Sequence, residues 1–159
     1  MSPTSKITVA TDGERFLTLT RRFAAAPEFV YRAHLEPELL KQWMTGPDGW
    51  SMSECRVDAR PGGSMYCAWS HPEEGGFHLT AEFIALEPHR RIEHVERMHL
   101  PDPTPDNHIV TALEADGDGT LLTVRMTLPD AETRQAMLDF GMVDGMEASY
   151  ARIDGLVAQ

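Results

Sequence analysis

The sequence predicts an α+β domain in which a curved antiparallel sheet of about seven strands wraps around one long C-terminal helix. Three observations carry that expectation. Apolar and polar residues alternate with period two through Phe16–Phe23, and again in pieces from Trp50 to Leu128. Between these regions Pro27 and Pro37 each open a short stretch of helical periodicity. From Asp130 onward, apolar residues recur at every third or fourth position.

Residues 1–14 read as a flexible arm or short strand ending at the turn-like Thr11-Asp12-Gly13, and residues 15–159 as a single domain. In the first regular strand Leu17, Leu19 and Phe23 share one parity, while Thr18, Thr20 and Arg22 share the other. That is the pattern of a half-buried strand. Phe29, Val30 and Ala33 mark the face of one short helix, and Leu39, Leu40 and Trp43 that of a second. A proline at the first helical position loses only an N–H that would be unpaired anyway. Thr45-Gly46-Pro47-Asp48-Gly49 then stops helical structure.

The meander is punctuated by Arg60-Pro61-Gly62-Gly63, His71 to Gly76, Glu87-Pro88-His89, Pro101 to Asn107 and Asp116-Gly117-Asp118-Gly119. Each separator holds residues that tolerate turn dihedrals, and the last is a strong hairpin signal. Asp130 suits the N-cap of the terminal helix, with Glu132 placed where the helix dipole favours negative charge. Its apolar stripe is Met137, Phe140, Val143, Met146, Tyr150, Ile153 and Val157. Gly141 and Gly145 interrupt it and predict a packing or bending reason, with the helix closely approaching the sheet or the short helices there.

Charge narrows the function classes. The net charge of −11, from 25 acids against 14 bases, argues against a nucleic-acid partner and against an anionic membrane surface. No apolar run approaches the roughly 20 residues that span a bilayer, and the N-terminus lacks a basic-then-apolar export pattern, so a cytoplasmic location is expected. Cys55 and Cys67 flank the Arg60–Gly63 turn and read as free core thiols. The seven histidines show no metal-ligand spacing, and neither a metal nor a cofactor is expected.

The segments R-F-x-A-x-P-E-x-V-Y (22–31), P-E-L-L-K-Q-W (37–43) and D-A-R-P-G-G (58–63) resemble the START/Bet v 1-like (SRPBCC) superfamily. So does G-M-V-D-G-M-E-A-S-Y-A-R-I-D-G-L (141–156). The resemblance is closest to the single-domain bacterial homologues of the Hsp90 ATPase activator, and it extends over about residues 15–158. It implies the helix-grip fold and a hydrophobic or amphipathic small molecule held between sheet and helix. It also implies two alternatives: an enzyme of cyclase, aromatase or hydrolase type using the same cavity, or a co-chaperone-like interaction module. Hsp90 itself is not the expected partner, because the characterised co-chaperones rely on a second domain. An exposed edge strand would allow pairing into a homodimer.

No catalytic motif stands out. On the strand around 91–100, Ile92, His94, Glu96 and Met98 share a parity whose apolar ends point it inward. His94 and Glu96 therefore become candidates to orient a ligand. Trp43, Trp69, Phe83, Met126, Phe140, Met146 and Tyr150 fall on faces expected to line the same cavity.

Overall fold

The computed structural model describes residues 6–46, 49–99 and 106–157. The chain opens with β1 (Thr8–Asp12) and β2 (Phe16–Phe23), then forms α1 (Pro27–Leu35) and α2 (Pro37–Trp43). A meander follows: β3 (Ser51–Val57), β4 (Ser64–His71), β5 (Gly75–Glu87), β6 (Arg91–His99), β7 (Asn107–Asp116) and β8 (Gly119–Thr127). Two helices, α3 (Ala131–Asp139) and α4 (Met142–Val157), complete the described chain. All strand pairs are antiparallel, in the order β1-β2-β8-β7-β6-β5-β4-β3. The sheet has one strand more than expected, because part of the N-terminal arm pairs with β2 as an edge strand. Pro47 and Asp48 of the predicted stop, residue 100 and residues 101–105 of the predicted Pro101–Asn107 loop lie outside the described residues, and Asn107, expected in that loop, instead opens β7.

Parity decides what each strand buries. Leu17, Leu19, Arg21 and Phe23 of β2 are all buried, and every alternate residue is not. Leu122, Val124 and Met126 on β8, and Ile109, Thr111 and Leu113 on β7, continue that inner face. Val30, Ala33 and Leu40 close it from α1 and α2, and Tyr150 and Ile153 from α4. Each large apolar side chain removed from water in this way contributes about 1.5–3 kcal/mol.

The Arg60–Gly63 turn has a clear structural purpose. Gly62 donates its N–H to the Phe83 carbonyl, and Phe83 donates back to the Gly63 carbonyl, at 2.9 Å each. A Cβ at Gly63 would run into the Asp58 carbonyl. This tight turn folds back on β5 where its register with β6 shifts between Phe83 and Ala85. Such a bulge bends a strand and re-aims its side chains, which helps the sheet curve.

The C-terminal region corrects the expected single long helix. Asp130 does cap α3, accepting the Thr133 N–H at 2.7 Å. The helix then breaks at Gly141, whose φ of +83° lies in the left-handed region that favours glycine. Phe140 becomes the C-cap of α3 and is 92% exposed. It therefore does not line the interior: the break resets the helical phase that the periodicity assumed to be continuous. The expected close approach at the glycines also fails, since nothing lies within 4 Å of a Cβ built on Gly141 or Gly145.

Besides buried Tyr150 and Ile153, a polar network holds α4 to the sheet. Arg21, on the buried face of β2, gives Nε and Nη2 to the two oxygens of Glu147 at 3.0 and 2.9 Å, and Nη1 to Asp154 at 2.9 Å. The same carboxylates accept backbone N–H groups, Glu147 from Ile7 and Asp154 from Ala24. Glu147 and Asp154 are two helical turns apart, so they share a face. At the other side Arg152 donates to the carbonyls of Trp43 and Gly46 at 3.2 Å.

Candidate functional site

The inner face of β6 carries the polar residues of interest. His94 stands opposite Ile109 and Phe83, and Glu96 opposite Asn107 and Ala81, so register aims both side chains at the concave side. Their side chains remain 12% and 25% exposed, although most of the surrounding inner face is sealed. His94 Nε2 and Glu96 Oε2 are 3.2 Å apart. A carboxylate only accepts, so His94 donates from Nε2. Its Nδ1 is buried and has no partner.

Two residues that the sequence reading did not single out join this pair. His34, at the end of α1, donates from Nδ1 to the Val30 carbonyl at 2.7 Å, while its Nε2 is enclosed without a partner. Burial, with the Val30 hydrogen bond opposing and His94 adding a smaller push, lowers its pKa to about 4. His34 is thus neutral near pH 7. Asn107, 7% exposed on β7, donates from Nδ2 to Met126 Sδ at 3.6 Å and leaves Oδ1 unpartnered. Directly opposite Glu96, it completes the polar strip.

Tyr150 reaches this region from α4, with its ring 6.2 Å from that of His34. It forms no hydrogen bond with a described residue, and Glu96 acts on it through charge alone. Burial raises the phenol pKa well above its usual value, and the Glu96 charge adds to the rise. The hydroxyl stays protonated.

The remaining candidates separate into groups. Trp43 stacks on Tyr150 at 5.8 Å and donates its indole N–H to the Ala33 carbonyl. Phe83 meets His94 edge-on at 6.3 Å. Met126 touches Asn107. Trp69 lies apart from these, stacked on Phe77 at 5.1 Å with its N–H on the Met44 carbonyl. Met146 is half-buried on α4, as are Met142 and Val143. The aromatic part of the expected enclosure is therefore filled by its own side chains. What stays accessible is the polar strip together with half-buried Met98, Met142 and Met146.

The Cys55 and Cys67 sulfurs, on opposed residues of β3 and β4, are 3.7 Å apart, sharing a thiol hydrogen bond and no disulfide. A separate depression of about 620 Å³ lies against β3–β6 and is lined by Arg56, Tyr66, Thr80, Arg97 and Asp106 among others. Tyr66, Thr80 and Arg97 are matched in register on the parity opposite to buried Met65 and Ala81, which puts them on the outer face. Glu96 is the candidate residue that borders it.

An eight-stranded antiparallel sheet curved around a C-terminal helix, with two helices linking β2 to the edge strand β3, defines the helix-grip class of α+β protein. The chain belongs to the family described as activator of Hsp90 ATPase homolog 1-like protein, whose model matches residues 24–158. It is similar to a Rhodobacter sphaeroides protein of known structure at 29% identity, with a TM-score of 0.89 over 96% of this chain and 99% of that one. A Nitrosomonas europaea protein is also 29% identical, with a TM-score of 0.80 over 94% and 98% of the two chains. A Mycobacterium smegmatis protein at 23% identity shares the fold, with a TM-score of 0.81 over 97% and 96%. No curated protein matches the chain significantly. No helix among the described residues is long and apolar enough to cross a membrane.

Proposed function

We propose that this protein binds an amphipathic small molecule between the concave face of the sheet and α4. The observation that carries this reading is the partial exposure of His94 and Glu96 on an inner face whose buried side chains are mostly apolar. A charged or imidazole side chain is costly to bury without partners, so its accessible position suits an incoming polar group. The half-buried methionines Met98, Met142 and Met146 suit a variable apolar body, because the unbranched thioether adapts its shape. Membership of a family with this fold supports the same reading. Native mass spectrometry of protein purified from its own host tests it: a non-covalent adduct lost on denaturation is expected. A bare chain in every preparation, with no small molecule raising the melting temperature, would sink it.

The hydrogen bond between His94 and Glu96 favours one alternative, an enzyme in which Glu96 orients His94 as a general base. A bound compound recovered chemically changed would support it. The co-chaperone reading rests on the family description alone, and a pull-down against Hsp90 separates it from both.

A further inference from the structure

We propose that the ligand's polar end is a hydrogen-bond donor, a hydroxyl or an ammonium group, received by His34 Nε2, His94 Nδ1, Asn107 Oδ1 and the Glu96 carboxylate. The inference rests on the binding reading above and specifies the ligand that the site selects.

Each acceptor follows from the bond its own side chain already makes. His34 gives its Nδ1 proton to the Val30 carbonyl, which can only accept, so a neutral ring leaves Nε2 as a bare lone pair. His94 spends its Nε2 proton on Glu96, so its neutral ring leaves Nδ1 bare. Asn107 directs its amide nitrogen at Met126 Sδ; a thioether sulfur only accepts, which fixes the amide orientation and leaves Oδ1 free. Four buried side-chain atoms lack partners among the described residues, and three of them are these acceptors.

They belong to one region. Asn107 is the cross-strand partner of Glu96, which is hydrogen-bonded to His94. The His34 ring lies 6.2 Å from that of Tyr150, and the His94 ring 6.3 Å from that of Phe83. Asn107 is 93% buried, since 7% of it is exposed, and cannot turn to bulk solvent for a partner. An unpaired buried acceptor costs about 1–3 kcal/mol, so a donor arriving here gains what the protein lacks.

A carboxylate would fare badly at the same place. It would set its own charge against the Glu96 carboxylate and three lone pairs. Arg21, whose charge reaches Tyr150, is already occupied by Glu147 and Asp154. Fatty-acid-like ligands are therefore disfavoured, and alcohols, phenols or amines favoured.

The test uses the full chain and four probes sharing one naphthyl body: 2-naphthol, 2-naphthylmethylammonium, 2-methoxynaphthalene and 2-naphthoate. Isothermal titration at about pH 8, above the ordinary histidine range, measures each. The naphthol or the ammonium should bind at least about tenfold more tightly than the methyl ether, with the carboxylate weakest. Which of the two donors wins tells a neutral from a cationic head. Asn107→Leu should reduce the donor's advantage over the ether, measured as the ratio of the two affinities. His34→Phe serves the same purpose if that variant fails to fold. Equal affinity for ether and naphthol, or preference for naphthoate, overturns the donor assignment while leaving small-molecule binding intact. Failure of all four probes to bind overturns both.

Discussion

Replacing Arg21 with methionine tests how α4 is held over the sheet. Methionine roughly keeps the length and apolar stem of the side chain but removes the guanidinium that joins Glu147 to Asp154. Arg21 is 3% exposed, whereas the two carboxylates keep 22% and 19% of their side-chain surface. Breaking a buried ion pair from one side costs about 3–5 kcal/mol, because the surviving charge is stranded. Here water can reach both survivors, and each keeps a backbone N–H, from Ile7 or Ala24. The lower end, about 3 kcal/mol, is expected. At about 2–4 °C per kcal/mol for a chain of this size, the melting temperature should fall by about 6–12 °C. The effect must also depend on pH. The Arg21 hydrogen bond, against some burial and with help from the Ile7 N–H, holds the Glu147 carboxyl below its ordinary value of 4.5. A depressed carboxyl stabilises the fold above its unfolded pKa and loses that contribution as pH falls through the folded one. The gap between parent and Arg21→Met should therefore narrow below about pH 4.5. Melting followed by circular dichroism at about pH 7.5 and pH 3.5 reads both effects. A variant that melts within about 2 °C of the parent at neutral pH would show that the network is an ornament of the packing rather than its fastening.

Other substitutions separate the two glycines and the buried histidine. Gly141→Ala should lower stability by about 1–2 kcal/mol, because alanine resists the left-handed backbone that ends α3. Gly145→Ala, in open space inside α4, should instead raise it by about 0.5–1 kcal/mol through helix propensity. Denaturant titration of the pair checks the opposite signs, and a loss at Gly145 would restore the close approach that the coordinates contradict. His34 stays neutral when folded down to about pH 4, whereas the unfolded chain takes up a proton near 6.5. Stability from this group should thus fall as pH drops from 6.5 to about 4, by up to about 3 kcal/mol, and level off below. His34→Gln should flatten that part of the profile, and an unchanged slope would mean that the ring is not sealed from water.

Local pattern and tertiary contact divided the work in this protein along a physical line. Alternation in Leu17–Phe23 and Ile92–Met98 was enough to assign inner and outer faces, because a strand's side chains alternate whatever they pack against. That is why the inward aim of His94 and Glu96 was legible. Pro27, Pro37 and Asp130 marked helix starts through chemistry confined to a single turn. Arg21 left a trace too: it falls on the buried parity between Leu19 and Phe23, where a cation needs buried acids. Its partners, more than a hundred residues away, were not legible. Phe140 shows the failure of a periodic argument. One left-handed residue at Gly141 breaks the phase, and the choice between a continuous and a broken helix is made by packing. His34 carries no local signal, and Asn107 only the parity it shares with Ile109 and Leu113, which does not say what it faces. Asn107 enters the site only because the β6–β7 register sets it opposite Glu96, and His34 because α1 brings its last turn beside Tyr150. Alternation, caps and turns are short-range properties that the sequence by itself determined. The orphaned acceptors exist only once distant elements have closed over them and taken their water away, which the tertiary structure alone decided.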